Sequence, residues 1–168
     1  MGYKRFEELP VWQDSLELAL ATYALTAAPS FRRHRSLRDQ LERAALSISN
    51  NIAEGFERGT NQELLNFLYI ARGSAGETRS MLCLIGRMPA FCDLESGILN
   101  LKSSVESISR QLGAWIRSLR ESELKGQRYV TEKTRRADQA RQEREEFLRE
   151  LEQIRQGAAP VAKPKFAS

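Results

Sequence analysis

The chain holds a single histidine, His34, and that scarcity excludes more chemistry than any other feature of its 168 residues. The paired Glu-x-x-His motifs of di-iron bundles and the two-histidine helix of zinc proteases cannot be built from it. A Ser or Cys hydrolase would have to rest on one imidazole set among arginines. Cysteine is nearly as rare: Cys83 and Cys92 fit no metal-ligand or redox spacing and read as reduced, inert core thiols. No apolar run is long enough to span a bilayer, and residues 1–8 lack the apolar core of a signal peptide. Phe6 stands where N-myristoylation of Gly2 would want Ser or Thr. The expectation is a cytoplasmic protein with no membrane attachment, no metal and no cofactor. Reaction chemistry is poorly provided for.

What the sequence does carry is helical periodicity in four segments, with nothing that reads as a strand. The first runs from Pro10, a residue suited to a first helical turn, to about Ala27. Its expected core stripe is Trp12, Leu16, Ala19, Leu20 and Tyr23. A second stripe, Val11, Leu18 and Leu25, repeats every seven residues on a roughly opposite face. A helix apolar on two faces is buried on two faces, so this second seam is assigned to contact between subunits. The second helix is expected to start at Ser36, where Ser36-Leu37-Arg38-Asp39 resembles a capping box with Asp replacing Glu. Its apolar stripe is Leu37, Leu41, Ala44, Ala45, Ile48 and Ile52. Gln40, Arg43, Ser47, Asn51 and Glu54 form a polar stripe beside it, and Gly55 and Gly59 mark the end.

Thr60-Asn61-Gln62-Glu63 is a full capping box for a third helix, with Leu64, Phe67, Leu68, Ala71, Ala75, Thr78, Leu82 and Ile85 on one face. Pro89 closes it. A fourth helix is expected near Asp93, a good N-cap. Along it Ile98, Leu101, Val105, Ile108, Leu112, Trp115 and Leu119 alternate spacings of three and four, the strongest periodic signal in the chain. Short connections make successive helices antiparallel neighbours. The fold class is therefore all-α, an up-down-up-down four-helix bundle over residues 1–120. Residues 121–168 differ: 11 are Lys or Arg, nine are Asp or Glu, and only Phe147, Leu148, Leu151 and Ile154 offer a docking face. They are expected to form a charged helical or disordered extension.

Two constellations stand out. Arg32, Arg33, Arg35 and Arg38, with His34 among them, cluster between the first two helices. Guanidinium forks match phosphates, so these four are the candidate nucleic-acid-binding residues, against the alternative of a solvated loop. Without interleaved aromatics, base stacking is not expected there. Asn51, Glu54 and Glu77 could be catalytic furniture, but no nucleophile accompanies them. A structural network between helices is the better reading, with Arg43, Arg72 and Arg79 as natural partners.

The segment containing Gln40, Arg43, Ala44, Ala45, Ser47, Ile48, Asn51, Ile52, Ala53, Glu54 and Gly55 resembles the Q-x-x-R-A-A-x-S-I-x-x-N-I-A-E-G signature of one family. Phe67, Leu68, Ala71, Gly73, Ser74 and Glu77 resemble its F-L-x-x-A-x-G-S-x-x-E signature, and Phe6, Leu9, Val11 and Trp12 its F-x-x-L-x-V-W opening. This is the four-helix-bundle family first known from intervening sequences in bacterial large-subunit ribosomal RNA genes. Accessory variability determinants of diversity-generating retroelements share its architecture. The resemblance implies a homopentamer with a basic surface and Arg43, Asn51, Glu54, Gly55, Gly73, Ser74 and Glu77 as its structural signature. It also implies RNA or a DNA/RNA hybrid, and a reverse transcriptase, as partners. The functional expectation is a non-enzymatic accessory protein that binds nucleic acid. The alternative is a protein-interaction scaffold without nucleic-acid affinity.

Overall fold

The computed structural model describes residues 3–121, 144 and 147–149. Four long helices carry the fold: α1 (Pro10–Thr26), α2 (Arg35–Glu57), α3 (Asn61–Ile85) and α4 (Glu95–Glu121). Each packs against the next, and α4 closes the square against α1. Among the described residues there is no strand. The chain separates into two compact units, Met1–Arg128 and Tyr129–Ser168, and the bundle lies in the first. Of the docking face expected in the second, Phe147 and Leu148 are helical and exposed, while Leu151 and Ile154 lie outside the described residues.

The core follows the expected stripes on three helices. Leu41, Ala45, Ile48 and Ile52 of α2 are buried, as are Leu64, Leu68, Ala71, Ala75 and Leu82 of α3. On α4 the seam holds from Ile98 to Leu112; beyond it Ile116 goes inside while Trp115 and Leu119 are half-buried. The drift arises because 3.6 residues per turn does not match a strict seven-residue repeat.

Helix α1 is rotated by part of a turn from expectation: of the expected stripe Ala19 is buried and Trp12 and Leu16 are half-buried. Val11 and Leu18 are buried, and Leu25 packs half-buried against the core, whereas Leu20 and Tyr23 are 55% and 43% exposed. The buried line reads Val11, Ser15, Leu18, Thr22 and Leu25, an uninterrupted four-three alternation. Two of its members are hydroxyl residues, which disguised it. Ser15 Oγ donates to the Val11 carbonyl at 2.6 Å and Thr22 Oγ1 to the Leu18 carbonyl at 2.7 Å. Each hydroxyl is satisfied within its own helix and enters the core without an unpaired polar atom. Val11, Leu18 and Leu25 are therefore not an inter-subunit seam. The exposed apolar side of α1 is the one carrying Leu20 and Tyr23.

Helix ends show which local signals prevail. Thr60 Oγ1 accepts from the Glu63 backbone N–H at 3.2 Å and donates to the Glu63 carboxylate at 2.8 Å, so Thr60 caps α3 as expected, with Glu63 meeting the Thr60 hydroxyl. The expected box at Ser36 does not form. Helix α2 begins one residue earlier, with His34 in the N-cap position and no side-chain cap. Asp39 accepts from Arg38 instead. Asp93 does not cap α4 either; the 3₁₀ segment Pro89–Leu94 runs directly into that helix. Gly55 lies inside α2 rather than ending it. A Cβ there would come within 2.6 Å of Phe67 Cβ, so a side chain is excluded where α2 and α3 meet.

Candidate nucleic-acid interface

The predicted basic cluster sits on an anchored corner of the bundle. Pro29 starts a short 3₁₀ turn, Pro29–Arg33, whose inward residue is Phe31, 1% exposed. The Phe31 ring meets Phe91 from the Pro89–Leu94 turn at 4.6 Å between centroids, and His34 lies against the same Phe91 ring at 5.2 Å. Ser30 Oγ donates to Asp93 at 3.2 Å. The two connections at this end, α1 to α2 and α3 to α4, are thereby fastened together.

Arg32, Arg33 and Arg35 point from this corner into solvent and make no ion pair among the described residues. Arg38 behaves differently. It is half-buried, donates from Nε and Nη2 to Asp39 Oδ1 at 3.0 and 2.9 Å, and lies 3.7 Å from Glu42. Its charge is locally answered. The corner thus offers three free guanidinium groups, not four, close to the start of α2. Cations there oppose the helix dipole, a modest cost that an anion would reverse.

The signature residues are brought together only in part. Asn51 Nδ2 donates to the Ser47 carbonyl at 2.7 Å and to Ser47 Oγ at 2.9 Å, and Ser47 Oγ lies 3.0 Å from Ser74 Oγ across the α2–α3 contact. That is a small inter-helix network, and Asn51 and Ser74 belong to it. Glu54 does not. It is exposed and accepts from Arg58 Nη2 at 2.6 Å, one turn along its own helix. Glu77 is exposed on α3, and a Cβ on Gly73 would meet nothing within 4 Å. Arg43 donates to the Asp39 carbonyl at 3.3 Å. The expected pairing of Glu54 and Glu77 with Arg43, Arg72 and Arg79 does not form: Glu54 pairs with Arg58 and Arg43 with the Asp39 carbonyl, each one turn away on its own helix.

Arg72 and Arg79 instead line an open groove of about 730 Å³ between α3 and α4, opposite Arg110 and Arg117, with Glu106 and Gly113 also in its walls. The signal for it is present in the chain: Arg72, Gly76 and Arg79 on α3 mirror Arg117, Gly113 and Arg110 on α4 when the second helix is read backwards. Two antiparallel helices bring such mirrored spacings into register, which no single-helix pattern reveals.

Other features offer less. Cys92 is exposed and Cys83 half-buried, so Cys92 is not a core thiol. An apolar recess of about 350 Å³ lies between Leu9, Val11, Phe56 and Trp115. Its Gln111 donates to Asp14 at 2.7 Å. At the amino-terminal turn the hydrogen bond from Arg5 to Glu7, 2.6 Å, holds the Glu7 carboxyl below and the Arg5 guanidinium above their ordinary values. That pair lies at the surface and contributes little. Among the described residues no group of His, Cys, Asp and Glu is placed to hold a metal ion. Nor is any described helix long and apolar enough to cross a membrane.

The family description 23S rRNA-intervening sequence protein matches residues 7–114. The chain belongs to that family. The match covers the four helices almost to the end of α4, and so includes the basic corner and the α3–α4 groove except for Arg117. A solved structure of a protein of unknown function from the S23 ribosomal protein family of Bacteroides thetaiotaomicron is similar in fold. It is 24% identical, with a TM-score of 0.57, over 63% of this chain and 97% of that one. No curated protein matches significantly. Family membership and fold agree, and both rest on the bundle rather than on the charged extension.

Proposed function

We propose that this member of the 23S rRNA-intervening sequence protein family is a non-enzymatic, homo-oligomeric protein that binds RNA or a DNA/RNA hybrid through its sugar-phosphate backbone. The observation that carries this reading is the trio Arg32, Arg33 and Arg35. They are exposed and free of ion pairs among the described residues, on a corner held rigid by Phe31 and Phe91. Arginine forks held on a fixed frame lose less freedom on meeting phosphates than arginines on a mobile loop. The exposed Leu20 and Tyr23 on α1 support self-association, with a pentamer as the form the family resemblance implies. A ring would repeat the corner and turn a subunit of net charge +4 into a multivalent basic array. A reverse transcriptase is the enzyme such a protein would assist, and its co-purification with this chain tests that part.

Binding is expected to be sequence-tolerant, because phosphate contacts carry no base information. It is also expected to weaken with salt, with a log–log slope of about −0.7 for each single-strand phosphate neutralised. Fluorescence anisotropy with labelled RNA, DNA and hybrid at two salt concentrations checks this. Replacing Arg32, Arg33 and Arg35 with Gln should flatten the slope. Absence of affinity for all three nucleic acids at 50 mM salt would remove the reading and leave a protein-interaction scaffold.

A further inference from the structure

Four arginines converge on the groove between α3 and α4, and none forms an ion pair among the described residues. Arg72 and Arg79 lie seven residues apart on α3, and Arg110 and Arg117 seven apart on α4. Each pair therefore spans about 10.5 Å along its helix. The groups form two tiers. In one, Arg72 Cζ lies 3.5 Å and Arg117 Nη1 3.7 Å from the point where a Gly113 Cβ would stand, so both guanidinium groups crowd over a residue with no side chain. Arg79 and Arg110 form the other, with Glu106 the groove's one carboxylate. Like charges drawn together without matching carboxylates repel one another, and an anion between them relieves that repulsion. The arrangement is that of a polyanion site.

We infer that this groove is a phosphodiester-binding track, in which the two guanidinium tiers grip successive stretches of a single nucleic-acid strand. The inference deepens the nucleic-acid reading and rests on it. It names a surface separate from the Arg32–Arg35 corner. The tier spacing is about the rise of three nucleotides along one duplex strand, at about 3.4 Å each, so one strand can engage both tiers. An acidic helix is a poorer occupant. Helix-in-groove docking draws on apolar anchors, and the floor here is Gly113 with the small residues Ser109 and Ala114.

Gly76 supplies the test. It lies between Arg72 and Arg79 on α3, is exposed, and a Cβ there would meet nothing within 4 Å. Neither Gly76→Glu nor Gly76→Gln disturbs packing, and both remove an unfavourable helical glycine. The glutamate puts a carboxylate among the arginines; the glutamine is its neutral match in size. With the full chain and a labelled single-stranded RNA at 50 mM salt, Gly76→Glu should weaken binding at least tenfold and Gly76→Gln less than twofold. Changing Arg72, Arg79, Arg110 and Arg117 together to Gln should reduce the salt slope by about 0.7 for each phosphate no longer neutralised. Circular dichroism verifies that each variant is folded. If wild-type protein binds and Gly76→Glu binds equally well, the groove is not the track, while the nucleic-acid reading stands. If wild-type protein binds no nucleic acid, both fall. Binding of polyglutamate in place of RNA would reassign the groove to an acidic peptide and overturn the inference.

Discussion

At the scale of single residues, chemical type was a poor guide to role, and surroundings decided it. Asn51 and Glu54 are three residues apart on α2, yet Asn51 is half-buried in a network with Ser47 and Ser74 while Glu54 reaches into solvent toward Arg58. Glu54→Ala should therefore change unfolding free energy by no more than about 0.5 kcal/mol, as exposed helix pairs do. Asn51→Ala should cost about 1 kcal/mol, the usual net worth of a hydrogen-bonded group. Chemical denaturation of both variants makes the comparison. Gly55 gives a sharper contrast with Gly73. A methyl at 55 would press on Phe67 Cβ, which is fixed to the backbone and cannot swing away, whereas one at 73 meets open space. Gly55→Ala should destabilise by about 1–3 kcal/mol through overpacking, and Gly73→Ala should be neutral or slightly stabilising.

At the scale of elements, α1 is the instructive case. Apolar periodicity took in Leu20 and Tyr23, which face solvent, beside Ala19, which is buried, and missed the line of Val11, Ser15, Leu18 and Thr22. Packing selects the side whose small hydroxyls let the neighbouring helices approach and which wastes no polar atom. Leu18, 2% exposed, is part of the core. Leu18→Glu should unfold the bundle, costing at least about 3 kcal/mol for an unpaired buried charge. Leu20→Glu combined with Tyr23→Glu should leave helicity and melting temperature nearly intact while abolishing the self-association proposed for this face. Circular dichroism and multi-angle light scattering separate these outcomes. The other three helices were legible because each stripe is unbroken, and the α3 cap because its donor and acceptor are local. The Ser36 box and the Asp93 cap failed for a common reason: another partner, or a 3₁₀ turn feeding the helix, replaced the capping bond.

At the scale of the whole molecule, charge is distributed by architecture. A net charge of +4 describes neither the corner with its three free arginines nor the groove with its four. Removing the chain beyond Arg128 should shift the melting temperature by less than about 5 °C, equivalent to about 1–2 kcal/mol, because every buried core residue among the described residues belongs to the first unit. Differential scanning calorimetry decides it, and a larger fall would mean that the second unit stabilises the first.

What the sequence determined by itself was everything set by short-range periodicity and covalent spacing. That covers four helices, their antiparallel order, the core faces of α2, α3 and α4, the α3 cap, and the position of a basic turn beside a family signature. Tertiary structure alone decided which of two apolar faces of α1 goes inside, that Arg38 is answered by Asp39 and Glu42, and that Glu54 and Glu77 stay apart. It alone also brought Arg72 and Arg79 opposite Arg110 and Arg117. These outcomes depend on the rotation of one helix about its axis relative to another. Periodicity places residues on a common face, but only packing against a neighbour chooses what that face will meet.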